Sequence, residues 1–138
     1  MKELQMPIIY DQQQRIGYGG NQDWFHDEWA QKAGCASVLA SNLYAFYQQQ
    51  EKYNKDEFLG VMEEMFNLMT PGNMGYPFLY KFARTFIARM KQDNCYLKPV
   101  YQKKSKNYKH ALDFVLKSID EGHPVGMLIL HHRAKELE

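Results

Sequence analysis

The sequence predicts a single α+β domain in which helices come first and a small antiparallel sheet comes late. Three observations support this class. Four segments carry apolar residues at helical spacing, two short apolar segments near the C-terminus are typical of strands, and 138 residues is the length of one domain. We therefore expect residues 1–138 to form one domain, in the order loop, three helices, strand, helix, strand.

The first 34 residues show the least regular pattern. The segment PIIY, 7–10, is compatible with a short strand, whereas the glycine-rich segment 17–29 predicts a loop. A helical pattern begins at Cys35 and continues to Phe46. Because Gly34 interrupts the chain just before it, Cys35 is expected in the first turn of this helix, on the face that packs inward.

Three further helices follow from apolar periodicity and from their terminal residues. Asn54 is a candidate N-cap, with Glu57 three residues later as in a capping box. The predicted helices are about 55–69, from about Pro77 to the QDN segment, and from about Asn107 to Glu121. The two predicted strands are CYLKPVY, 95–101, and the apolar run in HPVGMLILHH, 123–132.

Composition and charge exclude several partners. The formal net charge of +1 gives no reason to expect nucleic acid or an anionic membrane surface. No apolar run is long enough to span a bilayer and the N-terminus lacks a signal-peptide pattern, so we expect a cytoplasmic protein. The two cysteines are too few for a disulfide scaffold, and the adjacent His26, Asp27 and Glu28 point apart, so no metal site is predicted.

The position of Cys35 has two interpretations. A helix N-terminus presents unpaired N–H groups and the positive end of the helix dipole, which favour a thiolate and can hold a developing oxyanion. A cysteine there therefore has the surroundings of a nucleophile. The alternative is that Cys35 is a small buried apolar residue, since free cysteines are often buried.

The segment GCASVLASNLYAFY, 34–47, resembles the nucleophile helix of C39-like members of the papain-fold cysteine peptidases. Upstream, YGGNQDWF, 18–25, is similar to the segment that precedes this helix in bacterial members, and EGHPVGMLIL, 121–130, is similar to the strand before the histidine of the family. The middle helices show hardly any likeness. The resemblance implies a papain-like fold and a peptide or amide substrate, with no cofactor.

The resemblance also implies site residues. Cys35 would be the nucleophile, although Ala36 follows it where the family pattern has glycine. A glutamine before the cysteine would donate to the oxyanion. Gln31 is nearer in sequence, Gln22 lies in the segment that looks like that of the family, and either is otherwise an exposed polar residue.

The base is the largest departure from the family pattern. Members carry a histidine on a later strand, followed by an Asn or Asp that orients it, and this sequence stops before such a segment. His132 or His131 is the candidate substitute, and each is otherwise a solvated terminal residue. The remaining interpretations are a C-terminally truncated member or a homodimeric, non-catalytic interaction module whose open sheet edge is covered by a second chain.

Overall fold

Five helices and one three-stranded sheet form the described part of the chain, residues 2–104 and 107–128, in a computed structural model. The strands are β1 (Ile8–Asp11), β2 (Gln14–Tyr18) and β3 (Lys52–Asn54). The helices are α1 (Glu28–Ala33), α2 (Cys35–Tyr47), α3 (Lys55–Leu68), α4 (Leu79–Gln92) and α5 (Tyr108–Asp120). The predicted α+β class is confirmed.

The sheet is early and mixed, so the prediction of a late antiparallel sheet is wrong. Its strand order is β2-β1-β3, with β1 antiparallel to β2 and parallel to β3. Gln12 and Gln13 form the β1–β2 turn with φ of 48° and 67°, values that hairpin turns usually obtain from Asn or Gly. Because glutamine is not a typical residue of such turns, the sequence pattern does not indicate this hairpin.

The two segments predicted as late strands contain no strand where the structure describes them. Residues 95–101 are irregular, and Pro99 has no N–H to donate to a sheet ladder. Residues 123–128 are also irregular, and the rest of that predicted strand lies outside the described residues. Cys95 and Leu97 pack against the core between the helices, whereas Tyr96, Val100 and Met127 are exposed.

The four predicted helices are confirmed, and their caps explain where they begin. Asn54 Oδ1 accepts a hydrogen bond from Asp56 N at 2.8 Å, and Asn107 Oδ1 accepts from His110 N at 2.9 Å. The short helix α1 was not predicted. It begins after Asp27, whose carboxylate accepts from Ala30 N at 2.8 Å.

The core has two parts, and α2 belongs to both. One part lies between the sheet, α2 and α3, and the other between α2, α3 and α4. The buried residues of α2 are all small: Ala36, Ser37, Ala40, Ser41 and Ala45. The larger side chains come from the neighbouring elements and include four fully buried methionines: Met62, Met65, Met69 and Met90.

The C-terminal ends of α2 and α4 are in contact. Gln48 Nε2, just after α2, donates to Asp93 Oδ2 at 2.6 Å, just after α4. The Arg89 guanidinium, which donates to the same Asp93 oxygen, lies 5.2 Å from the ring centroid of Tyr44 in α2. These contacts form one polar cluster that joins the last turns of the two helices.

Arg89 also joins α4 to α3. Its guanidinium donates to the Glu64 carboxylate and, at 3.0 Å, to Asp93 Oδ2. The hydrogen bond to Glu64 and then that to Asp93 raise the pKa of Arg89, so this cation stays charged throughout the accessible pH range. Arg89 thereby links α2, α3 and α4 near the C-terminal end of α4.

The buried phenol of Tyr53 predicts a loss of stability at alkaline pH. Burial, with smaller contributions from Tyr44 and Glu57, raises the pKa of Tyr53 from 10.0 to about 12. Below pH 10 the phenol is neutral in both states. Between pH 10 and 12 the phenol ionises more readily in the unfolded chain, so the free energy of unfolding falls by about 1–2 kcal/mol across this window.

Denaturant unfolding of the wild type and of Tyr53→Phe between pH 8 and pH 12 measures this loss. Phenylalanine keeps the edge-on ring contact with Phe58, whose centroid lies 5.2 Å away, and removes the ionisable group. The free energy of unfolding of the wild type is expected to fall more steeply than that of the variant above pH 10. Parallel curves for the two proteins would contradict the prediction.

Candidate active site

Cys35 is the first residue of α2 and its side chain is exposed. The N-cap is Gly34, which offers no side chain to cap the helix. Val38 N donates to Gly34 O at 3.0 Å, so Cys35 and the next two residues occupy the turn whose N–H groups have no partner within α2. The predicted position of Cys35 at a helix N-terminus is confirmed.

The predicted inward orientation of Cys35 is wrong. The next two residues, Ala36 and Ser37, are buried, and the thiol lies on the outer side of the same turn. Helical spacing alone predicts that the larger apolar residues of α2 face inward. In the structure the face that is fully buried consists of alanine and serine.

The close packing of neighbouring atoms requires glycine at position 34. Its N–H donates to Ala30 O at 2.8 Å, which ends α1 immediately before α2 begins. A Cβ atom on Gly34 would lie 2.7 Å from Phe25 Cε2 and would also clash with the Ala30 carbonyl oxygen. The buried Phe25 ring therefore fills the space that a side chain at Gly34 would need, and this packing fixes where Cys35 emerges.

Gln22 and Gln31 are brought together just before Cys35. Gln22 Nε2 donates to Gln31 O at 2.5 Å, and Gln31 Nε2 donates to Phe25 O at 2.6 Å. Both side chains thus fasten a short 3₁₀ turn, Gln22–Trp24, to α1. Each amide nitrogen keeps a second N–H. The role of either glutamine as an oxyanion donor stays a prediction.

Ser37 is a residue of this turn that the sequence analysis did not select. Its side chain is 1% exposed, and Ser37 Oγ has no hydrogen-bond partner among the described residues. An unpaired buried hydroxyl costs about 1–3 kcal/mol. Serine in a run of small residues is a common packing choice in sequence, so no signal distinguished Ser37 from its neighbours.

The candidate bases His131 and His132 lie outside the described residues. Among the described histidines, His123 contacts α2 at its far end, with Nδ1 3.4 Å from Tyr47 Oη. At 1.5 Å per residue, Tyr47 is about 18 Å along the helix from Cys35. His123 is therefore remote from the thiol.

The chain after His123 follows α2 back towards Cys35. Gly126 lies beside Leu39, since a Cβ atom on Gly126 would be 3.0 Å from Leu39 Cδ2. Leu39 is one helical turn beyond Cys35, whereas His123 lies beside Tyr47. Residues 123–126 therefore run antiparallel to α2, in the direction of the exposed thiol.

An open apolar cavity separates this segment from the N-terminal residues. Its volume is about 560 Å³, and its lining includes Leu4 of the N-terminal segment, Leu39 and Leu43 of α2, and Val115 of α5. The N-terminal segment, α5 and residues 124–125 thus meet at the outer face of α2.

The described residues contain no group of three or more His, Cys, Asp or Glu side chains arranged to hold a metal ion. Within the same residues, no helix is long and apolar enough to cross a membrane. Comparison with protein-family models, with curated proteins and with solved structures finds no match to this chain.

Replacement of Gly34 by alanine tests how the Cys35 turn is held. The added methyl group would press on Phe25 and on the Ala30 carbonyl, so Gly34→Ala is expected to lower the free energy of unfolding by about 1–3 kcal/mol. Gly60→Ala is the matched control. It lies inside α3 with nothing within 4 Å of the new Cβ, and should stabilise the protein by about 0.5–1 kcal/mol.

Urea unfolding of both variants gives the two values. Equal effects of the two substitutions, or a stabilised Gly34→Ala protein, would show that the close packing around Gly34 does not constrain the start of α2.

Proposed function

We propose that this protein is a cysteine peptidase or amide hydrolase of papain-like, C39-like type, with Cys35 as its nucleophile. The observation that carries the proposal is an exposed thiol on the first residue of a 13-residue helix whose next two residues are buried. The buried residues anchor the turn, the thiol faces solvent, and the N–H groups around it face the same end of the helix.

In the proposed reaction the Cys35 thiolate attacks the carbonyl carbon of a peptide or amide bond. The new C–S bond forms as the carbonyl electrons move onto oxygen, and they return to expel the amine, which takes a proton from the base. Water then attacks the thioester, releases the carboxylic acid and restores the thiol. The Cys35 N–H, with Gln22 or Gln31, would donate to the oxygen that carries the negative charge.

The proposed base is His132 or His131. Support for it comes from the path of residues 123–126 along α2. Cys35 is about 6 Å along the helix from Leu39, the neighbour of Gly126, while five extended residues span about 16 Å. The length of chain after Gly126 is therefore sufficient for an imidazole to approach the thiol.

A non-catalytic interaction module is the second candidate, and the sheet edge favours it. Strand β2 is an edge strand of the sheet, with Ile16 43% and Tyr18 60% exposed. Exposed edges of this kind accept a strand from another chain, so a homodimer could form there. The hydrogen bond from Gln22 to Gln31 is equally consistent with such a module, because it stabilises the fold without a catalytic role.

Alkylation by iodoacetamide separates the two candidates. The chain has two cysteines, so Cys95→Ser reports on Cys35 and Cys35→Ser reports on the partly buried Cys95. If Cys35 is an activated nucleophile, its alkylation at pH 6 should be at least tenfold faster than that of a free peptide thiol and should slow on unfolding in urea. Equal rates for Cys35 in the folded and unfolded chain would favour the interaction module.

Hydrolysis of a peptide library, followed by mass spectrometry, tests the activity itself. Cys35→Ser is expected to lower the rate by at least 10³-fold, whereas Cys95→Ser should leave it within a factor of two. Cleavage that survives Cys35→Ser would overturn the assignment of the nucleophile.

The oxyanion donor is tested with Gln22→Ala and Gln31→Ala. The glutamine that stabilises the transition state should lower kcat by about 10²–10³-fold with little change in KM. The other glutamine should alter only the free energy of unfolding, because it then serves solely to fasten the 3₁₀ turn. A small and equal loss of kcat in both variants would assign neither glutamine to the oxyanion.

A further inference from the structure

A second groove, about 780 Å³ in volume, opens at the start of α4, and its charged lining is entirely cationic. Lys81 and Arg84 come from the first turns of α4, and Lys103 and Lys104 from the irregular segment that follows it. Among residues 2–104 and 107–128, no acidic residue lines the groove. A chain with a net charge of only +1 therefore concentrates four positive charges on one small surface.

These four cations make no ion pair with an acidic side chain among the described residues. The ion pairs of those residues involve Lys55 and Arg89, on other parts of the surface. Like charges brought together without counterions repel one another, which a bound anion would relieve. The groove is thus electrostatically complementary to an anionic ligand.

Aromatic rings hold two of the lysines in place. Lys103 Nζ lies 4.5 Å from the centroid of the Tyr80 ring. Lys81 Nζ lies 5.3 Å from that of Tyr76 and 5.7 Å from that of Phe78. Tyr80 in turn packs edge-on against Tyr101, with centroids 4.8 Å apart. The ammonium groups are therefore positioned over ring faces, which restricts their motion before any ligand arrives.

This arrangement fits carboxylates better than nucleic acid. Single-stranded nucleic acid stacks its bases on free aromatic faces, and here an ammonium group lies over Tyr80 and another over Phe78. The low net charge also provides little long-range attraction for a phosphate backbone. Carboxylates can pair with the fixed cations, while Leu128 and Phe78, 47% and 55% exposed, offer apolar surface between them.

Residues 126–128 connect the groove to the first turns of α2. Gly126 lies beside Leu39, one helical turn beyond Cys35, and Leu128, two residues later, lines the groove. Two residues span at most about 7 Å, so the groove comes close to the part of α2 from which the thiol emerges. An extended peptide in this groove would thus lie on the same side of the molecule as Cys35.

We infer that this groove binds an acidic peptide segment in which Asp or Glu residues alternate with apolar residues, and that it selects such peptides as substrates. The selection of substrates rests on the proposed function, whereas binding to the groove does not.

Fluorescence anisotropy with the 138-residue Cys35→Ala protein measures binding without cleavage. The probes are a labelled peptide of alternating Glu and Leu, the same peptide with Gln for Glu, and a labelled oligo-dT strand. The Glu peptide is expected to bind at least tenfold more tightly than the Gln peptide and to weaken with added salt. Equal affinity for the two peptides, or tighter binding of oligo-dT than of the Glu peptide, overturns the inference.

Two quadruple variants locate the binding surface. Lys81→Gln, Arg84→Gln, Lys103→Gln and Lys104→Gln together should weaken binding of the Glu peptide at least tenfold. The matched control replaces Arg15, Lys52, Lys91 and Lys117 by Gln. It removes the same charge from exposed positions outside the groove lining and should change the affinity less than threefold. Equal losses in both sets would show a non-specific charge effect and would refute the site.

Circular dichroism checks that each quadruple variant is folded. If the groove variant does not fold, the single substitution Lys103→Gln replaces it and is expected to weaken binding about threefold.

The proposed hydrolase activity and the proposed peptide groove can be refuted separately. Binding of the Glu peptide by Cys35→Ala without cleavage by the wild type would refute the hydrolase and keep the groove. Cleavage of other peptides without binding of the Glu peptide would refute the groove and keep the hydrolase.

Discussion

The close packing of α2 against its neighbours is the constraint on which the rest of the structure depends. A helix surrounded by the sheet, α3 and α4 can approach them closely only if its inward residues are small, and those of α2 are alanine and serine. Bulky side chains from α3 and α4 then fill the space around it. Because this small-residue face is directed inward, the position of every other residue of α2 around the helix axis is determined, including that of Cys35 on the outer side.

Four of the five helices could be predicted from the sequence, whereas α1 and the pairing of the strands could not. Helical periodicity and side-chain caps are local properties, so Asn54 and Asn107 indicated the starts of α3 and α5 correctly. The sheet depends on contacts between distant residues. Its hairpin turns at two glutamines with positive φ, and β3 is a three-residue strand that pairs in parallel with β1 across more than 40 residues of sequence.

The candidate site shows the same division. Gly34 indicates that a helix begins at Cys35, and this local signal was sufficient to predict the position of Cys35 in α2. The orientation of the thiol was mispredicted because large apolar residues such as Leu39 and Leu43 were expected to face the core, whereas they are only partly buried and line an open cavity. The hydrogen bonds of Gln22 and Gln31 to backbone carbonyls, and the path of residues 123–126 along α2, follow from tertiary packing. No spacing in the sequence contains that information.

Four described methionines are fully buried and two are largely exposed, and this has a consequence for their reaction with oxidants. Peroxide converts an accessible thioether to a polar sulfoxide, so Met74 and Met127, 85% and 66% exposed, would react while the fold stays closed. Met62, Met65, Met69 and Met90 have no exposed surface and become accessible only when the helices separate. Sulfoxide at an interior position would introduce a polar oxygen into closely packed apolar side chains. The rate at which the buried methionines oxidise, relative to Met74 and Met127, therefore measures how often the helices separate.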